Sequence, residues 1–201
     1  NNARVDMKID SSVNWYIDYN YEHFDSATGR MVGTLRIPCF LVHNNVRVDS
    51  RSILHDTLDY VEKELLELFK KHPQIAGLEH ISGEDIEKII FTCATELEFW
   101  VKSPREDAPI EALSSSQMMK KQCWRRCRGN VRTALEQTVE MLEAYGLGPE
   151  MGHKECGGVR GQIDDNGHMT HVMEQLEVDW KYSYGVQTAD NELLARIIVK
   201  E

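Results

Sequence analysis

The stretch Cys93-Ala94-Thr95-Glu96-Leu97-Glu98-Phe99-Trp100-Val101 (CATELEFWV) closes an apolar run, IIFTCATELEFWV, that reads as a buried strand. Alternate residues of a strand share a face, so Glu96 and Glu98 point the same way as Thr92 and Ala94, while Leu97, Phe99 and Val101 fill the other side. Two like charges side by side on a mostly buried strand are costly unless a cation, a bound metal or solvent offsets them. Two readings follow from this fragment: an edge strand with one wet face, or an acidic site.

Outward from this strand, the chain up to about Asn45 reads as strands and turns, with TLRIPCFLV a strand and DSATGR a turn that predicts a hairpin. Asp49-Ser50-Arg51-Ser52 opens a helix whose apolar positions Ile53, Leu54, Leu58, Val61, Leu65 and Leu68 keep helical spacing until His72-Pro73 stops it. A serine-rich stretch, EALSSSQ, precedes a second helix from about Gly129, with Val131, Leu135, Val139 and Leu142 on one stripe and Gly146 at its end. Asp165-Asn166-Gly167 is a hairpin signal, and MEQLEVDW alternates as a strand. The last segment, TADNELLARIIVKE, predicts a helix starting at Thr188 or Asp190; no stop signal ends it, which reads as a chain cut from a longer protein. The fold class expected is α+β, a curved antiparallel sheet with flanking helices.

Composition bounds the function. With 201 residues, 41% apolar and 28% charged, the chain can bury a core. Lys plus Arg number 23 against 33 acidic residues, net −10, which argues against a nucleic-acid or anionic-membrane partner and suits a soluble protein or one that holds cations. No apolar run approaches the roughly 20 residues of a membrane span, and NNARVDMKID lacks an apolar signal region, so a cytoplasmic location is expected. Five cysteines read as reduced thiols. Cys123 with Cys127, and His153 with Cys156, each lack the matching second pair of a structural zinc site, and Cys39 and Cys93 read as small core residues.

Three acidic segments stand out: Glu96 with Glu98, Glu150 with Glu155 in EMGHKE, and Glu174 with Glu177 and Asp179 in EQLEVD. Hard divalent cations take several carboxylate oxygens converging from rigid elements, and strands of one curved sheet can supply them. The order of the segments resembles a glutamine synthetase catalytic domain. CATELEFW is similar to that family's E-x-E-F strand, YGLGPEMGHKE to its G-L-x-x-E-x-x-H-H-E segment, and EQLEVDWKYSYGVQTADN to its G-Q-x-E-I-D-F-R-Y followed by A-D-N. Upstream, TLRIPCFLV and VDSRSIL resemble its R-C-D-I strand and D-P-R helix start, and KIDSSVNW its F-D-G-S-S loop.

The resemblance implies residues 1–48 as the end of a β-grasp-like domain and 49–201 as the first half of the catalytic domain. It implies Glu98, Glu155 and Glu177 around one Mg2+ or Mn2+ on the glutamate side, and Glu96 at a second metal on the ATP phosphates. It also implies Glu150 and Tyr182 as nucleotide contacts, Asp10 as an ammonium-side residue offered across a subunit interface of a homo-oligomeric ring, and catalytic roles for Asp10 and Glu177. Partners would be ATP, glutamate and ammonium. A γ-glutamyl-amine ligase of the same family, or a non-catalytic member serving as an assembly module, is also open.

Three departures from the family pattern matter. Between Glu155 and Glu177 lie 21 residues in place of a short loop, so CGGVRGQIDDNGHMTHVM reads as an inserted hairpin. That insert offers a rival register in which Gly161-Gln162-Ile163-Asp164 mimics the G-Q-x-E motif; Glu177 is preferred because only it keeps WKY and ADN at family spacing. QCW, residues 122–124, puts Cys123 where the family has a tyrosine near the ammonium site. The histidine loop and the substrate arginines do not occur within the 201 residues, so this chain alone is expected to be inactive. For His153, a packing role and a nucleotide contact are both open; His168 and His171 are expected to face solvent, and Arg125, Arg126 and Arg128 to form a solvated surface or subunit contact rather than a phosphate clamp.

Overall fold

The computed structural model describes residues 4–18, 24–31, 33–104 and 126–200. The fold is mixed α+β, with antiparallel sheets and, among the described residues, three helices. Tertiary contacts divide the chain into two compact units: residues 1–93 with 182–190, and 94–181 with 191–201. The boundary expected at 48/49 lies inside the first unit. EALSSSQ, Cys123 with its QCW neighbours, Arg125 and Glu201 lie outside the described residues.

In the first unit, β1 (Asp6–Ile9), β2 (Tyr16–Asp18), β3 (Phe24–Asp25), β4 (Arg30–Met31), β5 (Thr34–Arg36), β6 (Cys39–His43) and β7 (Val46–Arg47) precede helix α1 (Ser50–Lys71). TLRIPCFLV, expected as one strand, is two. Pro38 has no N–H for a ladder, and the chain changes partner there: β5 pairs with β2, and β6 with β1. The DSATGR turn joins β3 to β4, with the Ala27 N–H and the Thr28 hydroxyl donating to the Asp25 carboxylate and Gly29 at φ 66°. Helix α1 begins where Asp49 accepts the Ser52 N–H at 2.7 Å and ends at His72. Leu58 on its inner face packs with Val13 and Val186.

The run IIFTCATELEFWV is also divided. Thr92–Cys93 forms β8, and Ile90 and Phe91 before it are half exposed. In the second unit follow β9 (Glu96–Pro104), α2 (Gly129–Ala144), β10 (Pro149–Ile163) and β11 (Met169–Trp180). Then β12 (Ser183–Tyr184), in the first unit, pairs with β8, and α3 (Gly185–Ile198) closes the order. Helix α3 starts earlier than the Thr188 or Asp190 expected. Val186 is fully buried in the Leu58 cluster, so tertiary packing stabilises its first turn. Among the described residues no helix is long and apolar enough to cross a membrane.

The three-stranded sheet β10-β11-β9 positions the acidic residues. Its covered face carries Leu97, Val172, Leu176 and Val178, all buried, and α2 packs on it through Val131, Leu135 and Leu142. Contact is close at Gly152, where an added Cβ would lie 2.8 Å from Val139 Cγ2 and 3.0 Å from Leu135 Cδ1. The same face buries an ion pair, Lys154 Nζ to Glu174 Oε2 at 2.5 Å. The DNG hairpin is present, its turn closed by the Asp164 carboxylate accepting the Asn166 and His168 N–H groups.

Candidate metal centre

Strand alternation fixes which carboxylates share the open face. Register aligns Glu177 with Glu98 on one side and His153 on the other, and Asp179 with Glu96 and Met151. Glu96, Glu98, His153, Glu177 and Asp179 therefore project from the open face. Glu174, grouped with Glu177 and Asp179 in the sequence, has the opposite parity; it sits on the covered face, neutralised by Lys154. Among the described residues β9 is an edge strand, and Glu96 and Glu98 are exposed, so the wet-face reading holds for that pair. The burial cost falls instead on the central strand, where Glu177 is 6% exposed.

Ligand atoms of His153, Glu155 and Glu177 lie within 4.8 Å of one another, and so do those of Glu96, Glu177 and Asp179. Oxygens bound to one ion at roughly 2.0–2.6 Å can stand at most about 5 Å apart, so each group could share one hard cation. His153 Nε2 is 3.6 Å from Glu177 Oε2 and 3.5 Å from Asp179 Oδ2, joining the two groups. Electrostatics points the same way. A hydrogen bond to Glu155, then burial and the charges of Glu155 and Glu96, push the Glu177 carboxyl up to about 8. Burial raises Asp179, with Glu96 and Glu150 adding to it and His153 opposing. Asp179 Oδ1 is buried without a hydrogen-bond partner. A carboxylate cluster in which Glu177 holds a proton is one that a divalent ion would relieve.

The expected residues are distributed as follows. Glu96, Glu155 and Glu177 come together. Glu98 faces Glu177 across the ladder, but its Oε2 accepts the Gln175 Nε2 hydrogen bond at 2.6 Å, and it belongs to neither group of converging ligand atoms. Glu150 joins Glu96, Asp179, Thr95 and Trp180 around a cavity of about 520 Å3. Asp164 is in the hairpin turn and belongs to neither group of ligand atoms. His168 is exposed, while His171 is half-buried; Arg126 and Arg128 are exposed. Asp10 and Tyr182 belong to the first unit. Tyr182 is 76% exposed. Asp10 is buried, bonded to Ser12 and 2.6 Å from Arg51 Nη2, while Arg51 forks onto Asp190 through Nε and Nη2, each at 2.8 Å. Burial pushes Asp10 up, but Ser12 and the Arg51 guanidinium outweigh it and hold the carboxyl below its ordinary value.

Two contributors, His153 and Asp179, had no assigned ligand role. Asp179 follows from the rule already applied to Glu96 and Glu98, since two residues from Glu177 it must share that face. A larger cavity, about 620 Å3 between α2 and β10, contains none of the expected carboxylates. No protein-family model matches the chain, and no curated protein matches it either.

Proposed function

We propose that the chain carries part of an ATP-dependent carboxylate–amine ligase of the glutamine synthetase kind, acting in the cytoplasm on glutamate, ATP and ammonium. The observation that supports it is the convergence of Glu96, Glu155, Glu177 and Asp179, with His153, from three strands of one sheet. This donor set suits Mg2+ or Mn2+: oxygen ligands predominate, and the deeply buried Glu177 retains a proton that a cation would displace. A bound divalent pair would neutralise phosphate charge while the substrate γ-carboxylate is phosphorylated and the amine displaces phosphate. On this reading Glu155 and Glu177 hold the metal on the glutamate side with Glu98 beside them. Glu96 turns toward the nucleotide metal, and Glu150 borders the nucleotide cavity. Asp10, kept ionised by Ser12 and Arg51, serves the ammonium side. The β-grasp division at 48/49 and the homo-oligomeric ring belong to the same proposal. Cys123, in place of the family tyrosine, favours an organic amine as the second reading.

Binding tests this better than turnover, because the family's histidine loop and arginines do not occur in the 201 residues. An ATP analogue with a non-hydrolysable γ-bond should alter the electron paramagnetic resonance spectrum of protein-bound Mn2+, and Glu96→Gln should weaken that effect at least tenfold. Bound Mn2+ that ignores the nucleotide would sink the ligase reading.

A further inference from the structure

The open face of β10-β11-β9 changes sign along its strands. Past Glu98 the next residue on this face of β9 is Trp100, and the one after is Lys102; register places Lys102, Met173 and Arg160 in one cross-strand row. Arg160, on the inserted hairpin, reaches across β11 so that its guanidinium carbon lies 4.9 Å from the centre of the Trp100 ring. A guanidinium held over a ring face is bound through its charge and not through hydrogen bonds, so its N–H groups remain available for a forked bond to a carboxylate. Among the described residues Arg160 has no carboxylate partner, although Glu98 and Glu177 lie on the same face. Trp100 is one two-residue step, about 7 Å, from Glu98. Gln175, opposite Trp100, spans that step by bonding Glu98 at 2.6 Å.

We propose that Arg160, stacked on Trp100 and supported by Lys102, is an anion subsite for the far carboxylate of a short dicarboxylic substrate whose reacting carboxylate lies at the Glu155–Glu177 cluster. The proposal rests on the metal reading above and adds a specificity determinant to it. The inserted hairpin thereby delivers the cation that selects an amino-acid substrate with a free α-carboxylate over a monocarboxylate of the same length.

The test is calorimetric titration of the Mn2+-loaded chain with L-glutamate and with isoglutamine, whose α-carboxylate is replaced by an uncharged amide. Arg160→Gln should weaken glutamate at least tenfold, leave isoglutamine unchanged, and keep the wild-type Mn2+ affinity and melting temperature. Lys102→Gln should give a smaller loss in the same sense. Equal glutamate affinity in wild type and Arg160→Gln, an equal loss for both ligands, or wild type that holds Mn2+ but takes no glutamate would overturn the subsite while leaving the metal centre standing. Failure of wild type to bind Mn2+ would remove the metal reading and the subsite with it.

Discussion

Glu177 is the residue on which the proposed metal centre turns, and its proton makes a measurable claim. Its carboxyl is raised from an ordinary 4.5 to about 8 by Glu155, burial and Glu96. Between those values the folded chain holds a proton that the unfolded chain releases, so without metal, stability falls as pH rises from about 4.5 to about 8. Urea midpoints measured across that window should show the decline, Glu177→Gln should flatten it, and saturating Mn2+ should reverse it. A Glu177→Gln variant with an undiminished slope would show that the coupling lies elsewhere. Arg51 carries a second residue-scale prediction. It faces two buried carboxylates, Asp10 and Asp190, so Arg51→Ala leaves both uncompensated and should cost about 3–5 kcal/mol in equilibrium unfolding. A loss below about 1 kcal/mol, the range of exposed pairs, would contradict that assignment.

At the scale of elements, the sequence was most legible where periodicity and punctuation agree. Asp49 and His72-Pro73 bracket α1, and the stripe of Val131, Leu135 and Leu142 is the buried face of α2. The DNG turn and the alternation of β11 were also readable; Glu177 was preferred to Asp164 on its spacing to WKY and ADN, and in the structure Glu177 lies among the converging ligand atoms while Asp164 closes a turn. Legibility failed where long-range pairing decides. TLRIPCFLV divides because its halves find different partners on either side of Pro38, and IIFTCATELEFWV divides for the same reason at Ala94-Thr95. The start of α3 was hidden because the burial of Val186 that stabilises it is a tertiary contact. Packing of α2 on the sheet can be tested at Gly152. Gly152→Ala puts a Cβ against Val139 and Leu135 and should destabilise by about 1–3 kcal/mol in urea unfolding. A neutral or stabilising substitution would mean that the helix stands further off the strand.

For the molecule as a whole, the acidic strand segments suggested cation binding before any geometry was known, and the net charge of −10 was compatible with it. Which carboxylates converge was only partly readable. The sequence reading grouped Glu174 with Glu177 and Asp179, and strand parity, which separates Glu174 from the other two, was not applied there; that Glu98 is engaged by Gln175 and that His153 joins the two ligand groups depend on side-chain placement across strands. The functional reading stands on one claim, that carboxylates of β10 and β11, with Glu96 of β9, hold a divalent cation through Glu177. Mn2+ titration of the 201-residue chain followed by electron paramagnetic resonance tests it most directly. Binding should be saturable, weakened at least tenfold by Glu177→Gln and unchanged by Asp164→Asn; no saturable Mn2+ binding, or loss in Asp164→Asn with Glu177→Gln unaffected, would contradict it.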